Sequence, residues 1–317
     1  MTAVTWVVGA GGLLGSGVAR ALDERGPRWV QPRPVAWQDH ATAVDQLRAL
    51  AGEFLTATGD RPWQVAWCAG EGVTGSTAER LLHEQELFAA LLDELRRAGG
   101  PDGCRRGTVF VGSSAGALYA GSPDPPFSEE SPVVPISAYG HTKAGMEQLA
   151  GGWAARTGGG VVLGRIANLY GPAQNLRKPQ GLISQIIRAH LLRAPISIFV
   201  PLDTTRDYIY AEDCGRIVAD VLEHFGRAVL DEPRVLTKII ASQRGVTVGA
   251  MLGEMRRVFK RAPQIVLGSS AQASLQARDL RLRSCVEPTL PGRLTPLPVG
   301  INLTATHLRS LLAQGTL

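Results

Sequence analysis

The 317-residue sequence predicts an α/β fold: a doubly wound parallel sheet followed by a smaller C-terminal lobe for substrate. Three observations carry this. Short apolar runs rich in β-branched residues alternate with stretches of helical period over roughly the first 170 residues. The first such run, VTWVV at 4–8, ends in the glycine-rich GAGGLLGSG. Beyond Pro172 the alternation loosens, and the late segments supply a second lobe.

The elements follow in order. VTWVV is a buried strand, and LLGSGVARALDERG opens the first helix. PRWVQPRP reads as a second strand ending in prolines. AVDQLRALAGEFLTAT is helical, and WQVAWCAG is another buried strand. TAERLLHEQELFAALLDELRRAG places Leu81, Leu87, Leu91 and Leu95 at helical spacing. GTVFVGSSAG is a strand entering a loop, SAYGHTK opens a helix, and GGVVLGRIANLYGP is a strand again. Past Pro172, GLISQIIRAHLLR is a helix. ISIFVPLDTTRDYIYAEDCGRIVADVLEHF is a strand, a loop and a helix. VLTKIIAS is a strand, and TVGAMLGEMRRVF a helix. The tail from about residue 263 reads as turns and arginines. The expected division is a dinucleotide domain at 1–170 and a substrate lobe at 171–317, with segments around 206–245 returning to the first domain.

Composition removes several classes of function. The chain is 44% hydrophobic with 37 Gly and 20 Pro, which suits a folded chain with many turns and not a disordered one. Cys68, Cys104, Cys214 and Cys285 form no CxxC pair, so neither a disulfide framework nor a zinc site is expected, and a reducing cytoplasm is. MTAVTWVV has no basic stretch before its apolar run and reads as a strand, not a leader; no apolar run is long enough to span a membrane. Net charge is +5, but the arginines are scattered, whereas nucleic acid needs a coherent basic face. An anionic small ligand needs only one or two of them. His141 and His190 lack partners at ligand spacing, so no metal is expected.

Gly9, Gly12 and Gly15 form GxxGxxG after the first strand, with Gly11 in addition. Glycines there permit a tight turn and close approach of a pyrophosphate, which the next helix N-terminus receives. This is the Rossmann-type dinucleotide arrangement. Arg33, after the second strand, would meet a 2′-phosphate and favour NADP; Asp39 would face the ribose or adenine and favour NAD. Both cofactors stay open, with NAD slightly favoured.

Tyr139 and Lys143 lie four apart and share one helix face. A lysine ammonium favours the phenolate, lowering a phenol pKa that is about 10 unperturbed. That gives a proton donor or acceptor for alcohol–ketone interconversion, with hydride exchanged through a nicotinamide. Ser113 and Ser114, at the end of the preceding strand, both offer a hydroxyl to hold the reacting oxygen.

GAGGLLG at 9–15, WCAG at 67–70, VGSSAGALYAG at 111–121, YGHTK at 139–143, GRIANLYGP at 164–172 and RDYIYAED at 206–213 together resemble an extended short-chain dehydrogenase/reductase of the NAD-dependent epimerase/dehydratase group, over nearly the whole chain. The resemblance implies a nicotinamide dinucleotide, a nucleoside-diphosphate sugar and a homodimer, here across the helices at 78–98 and 140–155. It implies Tyr139 as acid/base and Lys143 as the residue that binds the nicotinamide ribose and tunes Tyr139. It selects Ser114, 25 residues before Tyr139, to orient the hydroxyl, with Ser113 as the neighbour. The cofactor set is Gly9, Gly11, Gly12, Leu13, Leu14, Gly15, Arg33, Asp39, Cys68, Ala69, Gly70, Tyr139 and Lys143. Asn168 matches an asparagine at the substrate diphosphate, and Arg206 an arginine reaching that group or the nucleotide ribose.

KPQGLISQ adds Lys178, Gln180 and Ser184 as nucleotide contacts, and among Arg278, Arg281 and Arg283 the first is placed at a substrate phosphate. Two departures narrow the chemistry. SSAGAL lacks the Thr-Asp-Glu of the group's dehydratases, and loss of water needs those carboxylates, so a 4,6-dehydratase is not expected. VPLDTT stands where the group has a glycine-rich loop, which leaves the nucleotide open. The expected function is 4-epimerisation through a transient keto-sugar, the alternative a ketoreductase using external NAD(P)H. A non-catalytic dinucleotide sensor or scaffold would have no use for an intact Ser-Tyr-Lys set.

Overall fold

A computed structural model describes residues 2–73, 75–177, 180–227, 234–268, 277–287 and 293–316. Strand β1 (Val4–Val8) runs into helix α1 (Leu13–Asp23). Strand β2 is only Arg28–Trp29, followed by α2 (His40–Thr58) and β3 (Trp63–Trp67). Then come α3 (Ala78–Arg105), β4 (Gly107–Ser114), the single turn α4 (Ala115–Leu118), α5 (Ala138–Thr157) and β5 (Gly160–Ile166).

The short β2 differs from the longer strand expected at 27–34. Pro32 and Pro34 cannot donate to a ladder. Gln31 spends its side chain locally, accepting from Trp6 Nε1 at 3.2 Å and donating to the Arg33 carbonyl at 2.9 Å. Helix α3 runs further than expected, and bends at Gly100, whose φ of 59° breaks the helix just before Pro101.

The later chain gives β6 (Asn168–Tyr170), α6 (Leu182–Leu191), β7 (Ile196–Ile198), β8 (Thr205–Tyr210), α7 (Ala211–Arg227) and β9 (Val235–Ile240). It continues through β10 (Gly245–Thr247), α8 (Val248–Phe259), β11 (Ile265–Leu267), β12 (Asp279–Leu280) and α9 (Leu297–Ala313). The turn-rich tail thus contains a 17-residue helix, α9. Its signal was Pro298 in the first turn and Ile301, Ala305 and Leu308 at helical spacing, all three fully buried.

Six strands form a parallel sheet in the order β2-β1-β3-β4-β5-β9. Side chains alternate between its faces. Trp6, Val8, Val65, Val109 and Val161 pack under α2, α3 and α5, while Val7, Ala66, Phe110 and Val162 pack under α1 and α7. Helices α1 and α7 approach so closely that a Cβ on Gly17 would overlap the Ala211 carbonyl, and one on Gly215 the Gly17 carbonyl. Strand order reverses between β1 and β3, which opens a crevice at their C-terminal ends.

A second core unites Ile183, Ile186 and Ile187 of α6 with Met251 of α8, Ile301 of α9 and Tyr208 and Tyr210 of β8. Strand β8 pairs with β6, β10 and β12, and β7 with β11. Helix α7 and strand β9 lie with the large sheet, whereas β8 and β10 lie with this lobe. Among the described residues no helix is long and apolar enough to cross a membrane.

Candidate active site

The glycine turn is built by steric exclusion. Gly9 has φ +84°, and a Cβ there would stand 2.7 Å from Ala69 N. A Cβ on Gly15 would overlap the Gly9 carbonyl and lie 2.9 Å from Ala10 Cα. Gly12 is the N-cap of α1, with no side chain to satisfy the helix's first N–H groups, and its own N–H donates to Gly9 O at 3.0 Å. A Cβ on Gly11 would meet nothing within 4 Å. The turn therefore presents exposed backbone and open helix N–H groups at the switch point, which fits a dinucleotide pyrophosphate. Leu14 packs under Gly112 of β4, and Leu13 reaches toward Gly171. Cys68, Ala69 and Gly70 continue β3 on the far side of the crevice, with Cys68 N donating to Val8 O at 2.9 Å.

The adenine side is less committed. Arg33 makes a two-point ion pair with Glu53 of α2, at 2.7 and 3.1 Å, on the surface. Asp39 is exposed and caps α2, accepting from Thr42 N at 3.2 Å and Thr42 Oγ1 at 2.8 Å; those bonds hold its carboxyl below the usual range. Each has a local structural duty that sequence alone did not reveal.

Ser114, Tyr139 and Lys143 come together at the end of β4. Ser114 caps α4, accepting from Ala117 N at 3.3 Å, and its hydroxyl acts on the Tyr139 phenol, favouring the phenolate. Ser113 points to the other face and is buried, its hydroxyl without a protein partner. Helix α5 starts at Ser137, whose side chain accepts from Gly140 N at 3.1 Å. That start places half-buried Tyr139 against α4. Lys143 Nζ lies 5.6 Å from the Tyr139 ring centroid. His141, between them, is exposed.

One member was missed by sequence reasoning. Lys143 Nζ donates to Glu84 Oε1 of α3 at 2.7 Å, with the two side chains only 6% and 7% exposed. Glu84 Oε2 accepts from Gly72 N at 2.9 Å and Glu71 N at 3.1 Å, in the segment after β3. Burial opposes charge on both side chains. Even so, Lys143 and these N–H groups hold Glu84 low, and Glu84 holds Lys143 high. Burial raises the Tyr139 phenol above its ordinary value; Lys143 and Ser114 pull it down and Glu84 pushes it up, with the net effect upward. The available signal was a Glu on the buried stripe of an amphipathic helix, three residues before Leu87 and three after Leu81.

The remaining predicted contacts divide. Exposed Asn168 has its side-chain oxygen 3.9 Å from where Gly116 would carry a Cβ, so it faces α4 beside the serine. Arg206 is 5% exposed, donating from Nη1 to the carbonyls of Ala277 at 2.8 Å and Thr205 at 2.9 Å. Gln180 is exposed, Ser184 is fully buried in the second core with its hydroxyl unpartnered, and Lys178 lies outside the described residues. Arg278 is exposed and paired with Asp203.

Residues 5–232 match the NAD dependent epimerase/dehydratase family. The chain is 32% identical over 125 residues to the dTDP-4-dehydro-6-deoxyglucose reductase of Escherichia coli, an alignment spanning 39% of each protein. The structure resembles MoeE5 in complex with UDP-glucuronic acid and NAD, at TM-score 0.72 and 23% identity over 98% of this chain and 99% of that one. It also resembles the UDP-glucose 4-epimerase of Thermotoga maritima with UDP-glucose, at TM-score 0.75 and 19% identity over 98% and 99% of the two chains. The glycine turn, the parallel sheet and the family match agree, and the chain belongs to the NAD-dependent epimerase/dehydratase family of extended short-chain dehydrogenase/reductase enzymes.

Proposed function

We propose that this enzyme interconverts an alcohol and a ketone on a nucleoside-diphosphate sugar, and that its reaction is 4-epimerisation. The observation that carries the reading is the convergence of Ser114, Tyr139 and Lys143 beside the glycine turn. Gly9, Gly11, Gly12 and Gly15 hold the dinucleotide, with NAD favoured because Arg33 is already engaged by Glu53. The bound cofactor supplies hydride exchange. Ser114 orients the reacting oxygen, Tyr139 takes and returns its proton, and Lys143 fixes the electrostatics around Tyr139. Asn168 lies on the sugar side, its side-chain oxygen near Gly116 of α4. The names of the similar proteins, a nucleotide-sugar reductase and a UDP-glucose 4-epimerase, support the substrate class. A homodimer across α3 and α5 is part of the same reading.

One-way reduction of a keto-sugar is the second reading. It is supported by the 32% identity over 125 residues to a dTDP-4-dehydro-6-deoxyglucose reductase, and in it Tyr139 would give its proton to the oxygen of the reduced ketone. Mass spectrometry of the nucleotide that copurifies, followed by a panel of UDP-, dTDP- and GDP-sugars, tests both. Epimer formation without net NAD(P)H consumption supports the first, and stoichiometric consumption the second. Neither, across the panel, contradicts the nucleotide-sugar assignment.

A further inference from the structure

We propose that Glu84 is a positioning residue for the proton transfer: it compensates the charge of Lys143, keeps the proton on Tyr139, and ties the segment after β3 to the same pair. The inference rests on Tyr139 as the acid/base of either reading above.

The charges around the pair can be assigned element by element. Lys143 faces Glu84 from α3, and Tyr139 and Glu147 from its own helix. Glu147 is engaged by Arg165 of β5, whose Nη2 donates to it at 2.8 Å. Glu84 is thus the carboxylate bound directly to the lysine, at 2.7 Å. Tyr139 faces Lys143, Glu84 and the neutral Ser114. A lone ammonium at the distance of Lys143 would move a phenol's proton affinity by about 1–3 pH units toward the phenolate. With the carboxylate attached, that pull is partly offset, since Glu84 acts on Tyr139 in the opposite sense.

Glu84 is also placed mechanically. A Cβ on Gly70 would stand 2.8 Å from Glu84 Oε1, and one on Gly72 would stand 3.1 Å from Oε2 and 3.2 Å from Tyr139 Cδ2. The segment therefore lies over both the carboxylate and the phenol, and its backbone N–H groups fix the carboxylate's orientation. Stability alone is a poor reason for such a pair, because apolar replacement of a buried ion pair is often neutral or stabilising. Here Glu84 serves as an electrostatic counterweight inside the proton-transfer site.

The test is direct titration of Tyr139 by its ultraviolet phenolate absorbance, isolated by subtracting Tyr139→Phe. Glu84→Gln is expected to lower the titration midpoint by about one pH unit or more, and to move the basic limb of the pH–rate profile the same way. The double variant Glu84→Gln/Lys143→Met leaves no unpaired buried charge, so it tests the idea even where the single variant does not fold. Its midpoint should stay within about half a unit of wild type. An unshifted midpoint in Glu84→Gln, or a double variant about one unit or more above wild type, overturns the proposal. Loss of the Tyr139 assignment would show separately, as full turnover in Tyr139→Phe.

Discussion

A Cβ placed on Gly140 would stand 2.7 Å from the carbonyl oxygen of Ala117. This contact sets the first turn of α5 against α4, and so brings Tyr139 to Ser114. Gly140→Val should retain the fold at a cost of about 1–3 kcal/mol and lower turnover by at least about tenfold, through displacement of the phenol. Steady-state kinetics together with thermal melting check it. Unchanged turnover would mean that the approach of the two helices does not position the site.

Gly15 is excluded from carrying a side chain by the Gly9 backbone. Gly15→Ala should weaken binding of NAD by about tenfold or more, because the turn must open. Isothermal titration with NAD reads this directly. Binding within about twofold of wild type would contradict the pyrophosphate assignment.

We read Arg33 as the surface partner of Glu53, not as a phosphate ligand. Arg33→Ala should leave the affinity for NAD unchanged and that for NADP lowered by no more than about threefold, since exposed pairs contribute little. A large loss confined to NADP would reassign Arg33 to the 2′-phosphate.

Asp207 is buried in β8, accepting from Ser242 N at 2.7 Å and Arg244 N at 3.0 Å; burial outweighs those bonds and pushes its carboxyl up to about 6. The folded protein therefore holds this proton where the unfolded chain releases it, near 3.8. The group's contribution to stability is fully present below about pH 4 and is lost as pH rises through about 6. The melting temperature of wild type relative to Asp207→Asn should fall between those values as pH increases. A difference that grows with pH would reverse the sign.

Much of the sheet body was legible because local chemistry and global fold agree there. VTWVV, WQVAW and VVLGRI are apolar runs between helices of clear period, and each is a buried strand of the parallel sheet. Tyr139 and Lys143 sit on one helix face because four residues are close to one turn. What spacing could not show was contact across elements. Glu84 reaches Lys143 from another helix, 59 residues away in sequence. Asp39 looked like a ribose ligand and caps a helix, because a short acidic side chain serves both purposes. Ser184 looked like a nucleotide contact from its position in KPQGLISQ, but it falls on the inward stripe of α6 with Ile183, Ile186 and Ile187. The tail hid α9 because glycine, proline and arginine masked its inward residues Ile301, Ala305 and Leu308.

The most direct measurement is turnover of Tyr139→Phe beside its NAD affinity, using the nucleotide-sugar that wild type processes. The variant keeps the ring and removes only the hydroxyl, so NAD affinity should stay within about threefold, while kcat falls by about 100-fold or more. Turnover close to wild type would contradict Tyr139 as the residue that moves the proton.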